Sequence, residues 1–140
     1  MNERIPPRRV LALRLIQQDI RSPATLRELH EIDPRTRLTE TDGELDWTSK
    51  RTGLWVSANA ERGKIDTVSM HAEGVDGFAA FVGPLPFGVE FEWSRMRLTT
   101  NFGPPDKSGE DHDNWQLGEN QLIVEYDRQT GAIAHVTVAS

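Results

Sequence analysis

Carboxylates next to tryptophans are the residues in this chain best placed to do chemistry. Glu40, Asp42, Glu44 and Asp46 occupy alternate positions directly before Trp47. Alternate side chains of an extended strand leave on one face, so these four acids are expected to form a negative ladder. Asp106, Glu110, Asp111 and Asp113 precede Trp115 in a similar place in the second half. Like charges on one face repel, and a cationic partner would relieve the repulsion and be steered toward it. Tryptophan is a frequent interface anchor. The expected partner-binding residues are therefore these eight acids with Trp47, Trp55 and Trp115. Taken alone, Trp47 and Trp115 read more readily as core residues capping a sheet, with the acids simply solvated.

Other reactive constellations are weak. His30, His71, His112 and His135 form no His-x-x-x-His or Glu-x-x-His pair. Asp111-His112-Asp113 lies in a Gly/Asp/Asn-rich stretch and alternates poorly for a single metal ion. There is no Gly-x-Ser-x-Gly elbow, and Lys107-Ser108-Gly109 lacks the glycine spacing of a phosphate loop. With no cysteine, thiolate metal sites, disulfides and cysteine nucleophiles are excluded. The expectation is a non-enzymatic protein with no metal and no cofactor.

Composition narrows the partner. A chain of 140 residues is one domain by length. Its net charge of −6 argues against binding nucleic acid through phosphates. No apolar run approaches the ~20 residues that span a bilayer, so no membrane partner is expected. The stretch Met1 to Arg9 lacks the apolar core and cleavage site of a secretory signal. With the lack of cysteine, that points to the cytoplasm. Residues 1–37 carry eight arginines against five acids, whereas the remainder is strongly acidic. The arginines have no interleaved aromatics, so this segment is expected to dock on the acidic body.

The elements that must position these residues follow from an internal repeat. At an offset of 68, Trp47 falls on Trp115, Leu54 on Leu122, Val56 on Val124, Gly63 on Gly131, Ile65 on Ile133 and Val68 on Val136. Each copy reads as a β-meander. Strands are expected at 54–57, 64–70, 121–126 and 132–138, with Gly63 and Gly131 in the turns. From Ile133 to Val138 alternation is imperfect, so either a bulge or a strand covered on both faces is expected. Ser22-Pro23 opens one helix, running to His30. Ser94 opens another, which ends at Gly103-Pro104-Pro105. A further helix is expected from Pro7 to Ile20. Residues 77–84 and 88–93 read as two strands linking the copies. The expectation is an α+β domain over 1–140, with helices on one face of an antiparallel sheet of six to eight strands. Repeat one covers about 22–71, linking strands 77–93, and repeat two about 94–140. The sheet's other face is left for a partner.

The second half runs Ser94-x-x-x-Leu98-x-x-x-Phe102-Gly103-x-Pro105, then Trp115, Leu122-x-Val124-x-Tyr126 and Gly131-x-Ile133-x-x-Val136. This pattern resembles the helix–Gly-x-Pro–meander unit of the BamE-like lipoproteins and of the β-lactamase-inhibitor protein. It also resembles small immunity-type proteins that neutralise bacterial toxins. The resemblance covers about 88–140, and 22–70 more loosely. The chain departs from the lipoproteins in lacking a lipidation cysteine, and from the inhibitor in lacking disulfides. The resemblance implies a cytoplasmic immunity protein (an antitoxin) whose acidic surface binds a cognate, basic toxin domain. The alternative is an assembly module, or a homo-oligomer, that binds another protein through its sheet.

Overall fold

Eight strands hydrogen-bond into one antiparallel sheet, and three short helices cover one of its faces. A computed structural model describes residues 10–140. The strands are β1 (Thr39–Thr41), β2 (Glu44–Ser49), β3 (Leu54–Asn59), β4 (Ile65–His71), β5 (Lys107–Ser108), β6 (His112–Leu117), β7 (Asn120–Tyr126) and β8 (Ile133–Ala139). The helices are α1 (Leu11–Leu15), α2 (Pro23–Ile32) and α3 (Arg95–Phe102). The strand order is β1-β2-β3-β4-β8-β7-β6-β5, so it reads outward from the central β4–β8 pair in the same way on both sides. The α+β class and the antiparallel sheet are as expected.

Local chemistry accounts for the element ends. The Ser22 side chain accepts from the Thr25 N–H at 3.2 Å, and Ser94 from the Arg97 N–H at 3.1 Å. Both serines satisfy an N–H that the first helical turn leaves orphaned. The β3–β4 and β7–β8 turns are built alike. Asn59 Oδ1 accepts from the N–H groups of Glu61 and Arg62, and Asp127 Oδ1 from those of Gln129 and Thr130. Gly63 and Gly131 then close the turns at φ +75° each, a region where a side chain would be strained. Register shifts occur at Ser57/Ala58 and Glu125/Tyr126.

The core lies between the helices and one sheet face. Leu45, Trp47, Leu54, Val56, Val68, Met70, Trp115, Leu122, Val124, Val136 and Val138 form one cluster with Leu15, Leu29 and Leu98 of the helices. Trp47 and Trp115 are each only 2% exposed, which places them in this core rather than on a contact surface.

Three expected elements change. Residues 77–84 and 88–93 are not strands. They form irregular chain with single 3-10 turns at Val75–Gly77 and Pro86–Gly88. Glycines and prolines interrupt any ladder there, and Leu85 and Val89 are spent on the core instead. This segment packs against the β2–β3 turn. Ala79 N–H donates to Lys50 O, and Phe81 N–H donates to His71 O. The long first helix contracts to α1, and Pro7 to Arg9 of that expectation lie outside the described residues. Asp111-His112-Asp113 is not loop throughout, since β6 begins at His112.

Candidate interaction surface

Directly paired residues on neighbouring strands share a face, so the register defines what the helix-free side presents. One row crosses the sheet as Thr48, Trp55, Ser69, Thr137, Ile123, Asn114 and Lys107. A second row runs Thr39, Asp46, Ser57, Thr67, Ala139, Gln121 and Gln116. A third holds His71, His135, Glu125 and His112. Small hydroxyl residues occupy the centre: Ser57, Ser69 and Thr137 are buried, with Ser69 Oγ 2.6 Å from Thr137 Oγ1. Half-buried Trp55 and Ile123 stand on either side.

The acidic ladder is broken by the fold. Asp42, at φ +50°, and Gly43 form the β1–β2 turn, so the chain reverses in the middle of the four acids. Glu40 pairs with the core-facing Leu45 and therefore projects on the helical side. Only Glu44 and Asp46 remain together on the open face. Asp46 Oδ1 accepts from Trp55 Nε1 at 3.1 Å, which orients the indole beside that carboxylate, while Glu44 pairs with Asn59 farther along β2.

The second set of acids is also dispersed. Asp113 is 1% exposed and serves as a structural anion. Arg95 donates to it through Nε at 2.8 Å, Ser108 Oγ donates at 2.6 Å, and the Tyr126 hydroxyl donates at 2.8 Å. Burial alone would raise the Asp113 pKa, but these donors outweigh it and hold the carboxyl below its ordinary value. Burial, and then the hydrogen bond to Asp113, push the Tyr126 phenol up. Asp111 pairs with exposed Arg128, Asp106 accepts from the Gln116 N–H at 2.6 Å, and Glu110 is exposed. The Trp115 indole donates to Gly103 O at 2.9 Å, tying β6 to the end of α3.

A second buried carboxylate, Asp33, closes α2. It accepts from Ser49 Oγ at 2.5 Å, from Thr36 Oγ1 at 2.7 Å and from Arg51. The Ser49 hydrogen bond is the main cause that holds its carboxyl well below the usual range, against the opposing effect of burial. Ser49 is thus a donor to a structural anion. On the helical side, a cavity of about 500 Å3 opens between α1, α2 and residues 80–84. Leu11, Ile32, Phe81 and the 90% exposed Val82 line it, with the Arg14–Glu28 and Arg51–Asp33 pairs at its wall. Among the described residues, no group of three or more His, Asp or Glu is arranged to hold a metal ion.

The third open-face row carries its own polarity. His71 stacks on Phe78 with ring centroids 3.8 Å apart and an interplanar angle of 4°. Its Nδ1 is buried without a hydrogen-bond partner. His135 lies 5.1 Å from it and bonds Glu125 Oε2 at 2.9 Å. None of these three was expected to matter from sequence. The available signal was the phase of alternation in β4, β7 and β8, which places them opposite the core residues.

Fold and face together define an α+β domain whose antiparallel sheet has, among the described residues, one face that no helix covers. No known family matches the sequence, and no curated protein does. The fold resembles an extracellular SCP-domain-containing protein of Bacillus anthracis str. Ames, with a TM-score of 0.64 at 14% identity. The match covers 100% of this chain and 48% of that one. It also resembles a cysteine-rich secretory protein of Staphylococcus aureus subsp. aureus Mu50, with a TM-score of 0.50 at 18% identity, over 91% of this chain and 45% of that one. The chain therefore spans about half the length of each.

These matches overturn the resemblance to immunity-type proteins, BamE-like lipoproteins and the β-lactamase-inhibitor protein, and with it the toxin-neutralising role. They also remove the support for a cytoplasmic location, because the first of these proteins is described as extracellular and the second as secretory. The physical reason for both errors is plain. A capped helix, a Gly-x-Pro stop and a meander encode a folding unit that many functions can share. A chain without cysteine is indifferent to the redox state of its compartment.

Proposed function

We propose that this chain is a non-enzymatic binding module that engages another protein through the open face of its sheet. The observation that carries this reading is the segregation of the two faces. All three helices and the apolar cluster lie on one side. On the other side Phe78 stacks on His71 at one end, and among the described residues no helix or strand covers Trp55, Ile123 and the remaining hydroxyl, amide and carboxylate groups. The two buried carboxylate networks tie α2 to β2 and α3 to β6 on the helical side. A negative net charge supports a protein partner over nucleic acid. The reading needs no metal or cofactor.

We also read the fold as a duplicated unit. The mirrored strand order, the matching Asn59 and Asp127 turns and the two serine-capped helices support it. The linking segment 72–94 then joins the copies as irregular chain.

The test is comparative capture. The tagged chain, a Trp55→Ala/Ile123→Ser variant and a Val82→Ser variant are used on both lysate and culture medium of the source cells. The expected result is a protein held by the wild type and by Val82→Ser but lost by the open-face variant. Equal retention by all three would overturn the reading, and loss only with Val82→Ser would overturn it by moving the contact to the helical side. Capture of the chain itself, lost in the open-face variant, would make the partner a second copy.

A further inference from the structure

Resting on the open-face reading, we infer that the occupant of this face is a cationic protein surface, received on the β2–β3 side at Trp55. Carboxylates on the open face include Glu44 and Asp46 on β2 and Glu125 on β7, with Asp66 bonded to the Thr67 hydroxyl at the β3–β4 register shift. The only fixed cation in the three rows is Lys107, at the far edge of the sheet. The imbalance is local. Glu125 is engaged by His135, whereas Glu44 is exposed and, among the described residues, the Asp46 carboxylate accepts only from the Trp55 indole.

This arrangement fits an arginine or lysine side chain in particular. A half-buried indole offers a π face, which attracts a cation, and Asp46 beside it supplies counter-charge, reinforced by Glu44 farther along the same face of β2. Because Asp46 accepts from Trp55 Nε1, the ring is held in place before any partner arrives, so less side-chain entropy is lost on binding. A guanidinium over the indole could hydrogen-bond the remaining carboxylate oxygen of Asp46, and a second cation of the same surface could meet Glu44. An acidic partner would meet Glu44 and Asp46 with like charge and would be repelled. The face thus selects by sign as well as by shape.

The experiment uses the full chain, labelled with nitrogen-15, and three acetylated, amidated decapeptides as probes. They alternate serine with arginine, glutamine or glutamate. The expected result is saturable binding of the arginine peptide alone. Its shifts would centre on the Trp55 indole N–H and the amides of residues 44–48 and 55–57, and its affinity would fall as salt is raised from ~50 to ~200 mM. The conservative double variant Glu44→Gln/Asp46→Asn keeps an acceptor for Trp55 and should fold. It is expected to bind about fivefold more weakly, as removal of two partly exposed ion pairs implies. If the glutamine or glutamate peptide binds this face as tightly, the cationic assignment fails while the open-face reading stands. Should the arginine peptide instead shift residues beside Glu28 and Glu31, or around Asp106 and Glu110, both fail. No saturable shift with any probe at millimolar concentration also overturns the cationic assignment, and the capture experiment then judges the face by itself.

Discussion

Ser69 and Thr137 lie 68 residues apart, pair directly across the central β4–β8 ladder, and join their hydroxyls at 2.6 Å on the open side of the sheet. The separation is the same as the sequence offset between the two meanders. Both residues are nearly inaccessible, so the bond sits where the two halves of the sheet are stitched together.

Truncating one of these hydroxyls should therefore cost more than truncating both. Ser69→Ala leaves Thr137 Oγ1 buried without this partner, and its remaining neighbour is His135 Nδ1 at 3.5 Å. Such an orphan costs about 1–3 kcal/mol. The double variant Ser69→Ala/Thr137→Val removes the unsatisfied group as well as the bond. Urea unfolding of the set should show the double change costing clearly less than the sum of the singles. Strict additivity would mean that the hydroxyls do not depend on each other.

How much of this was legible beforehand depends on the kind of signal. Elements defined by their own residues were readable. Ser22 and Ser94 marked helix starts, Gly63 and Gly131 marked turns, and β-branched runs marked β3, β4, β7 and β8 within one or two residues. Features set by long-range register were not. Glu40 to Asp46 alternates like a strand, but Asp42-Gly43 is also a two-residue hairpin turn, and that turn divides the acids between two strands and two faces. Likewise Phe78, Phe81, Leu85 and Val89 look like strand residues. Phe81, Leu85 and Val89 fill gaps at the edge of a core whose shape is known only after the sheet has formed, and Phe78 stacks on His71 on the other face. Asp113 read as one more surface acid because its partner, Arg95, lies 18 residues away.

Gly53 should tolerate no side chain, whereas Gly43 should tolerate one. Gly53 is at φ +71°, and an added Cβ would come within 2.3 Å of Ala79 O and 2.5 Å of Phe81 N. Those are backbone atoms of the segment that covers the end of β3, so relief requires that segment to move. Gly43 is at φ +80° with nothing within 4 Å of its added Cβ, and carries only the conformational penalty. Gly53→Ala is expected to cost about 2–4 kcal/mol and Gly43→Ala about 1 kcal/mol. Thermal unfolding of the two variants checks this, and equal losses would mean that residues 79–81 do not pack against Gly53 in solution.

Removing Arg95 should expose the importance of the Asp113 network. Arg95→Met leaves the Asp113 carboxylate buried with only Ser108 and Tyr126 as side-chain donors. Breaking a fully buried pair costs about 3–5 kcal/mol, but solvent reaches the 38% exposed Arg95 side chain, so about 2–3 kcal/mol is expected here. The pH dependence follows from the same group. The folded pKa of Asp113 lies below its ordinary 3.8. Its stabilising contribution is therefore present above about pH 4 and is lost as pH falls below that value. Asp33 acts in the same direction. The wild type should unfold progressively with acid below about pH 4, and Arg95→Met should show a shallower loss there. An unchanged acid profile in the variant would place the pH dependence elsewhere.

His71 should add a second, milder pH step. Burial is the main cause that lowers its pKa from the ordinary 6.5, and the neighbouring His135 adds to it. Asp76 and Glu125 oppose the shift, and Lys50 lies beyond the Phe78 ring at 5.8 Å. The folded protein therefore favours neutral His71, while the unfolded chain takes up a proton near pH 6.5. It follows that stability is full above that value and declines as pH falls through it toward the depressed folded value. The group that would suffer is the stacked Phe78, which leads into the segment pinned at Ala79 and Phe81. Urea midpoints at pH 7.5 and pH 5.5 should differ for the wild type and converge in His71→Phe, which keeps an aromatic ring but cannot be protonated. Amide exchange at Phe81, whose N–H donates to His71 O, should quicken over the same interval in the wild type alone. A pH response that survives in His71→Phe and disappears in His135→Gln would assign the titration to the other histidine of the pair.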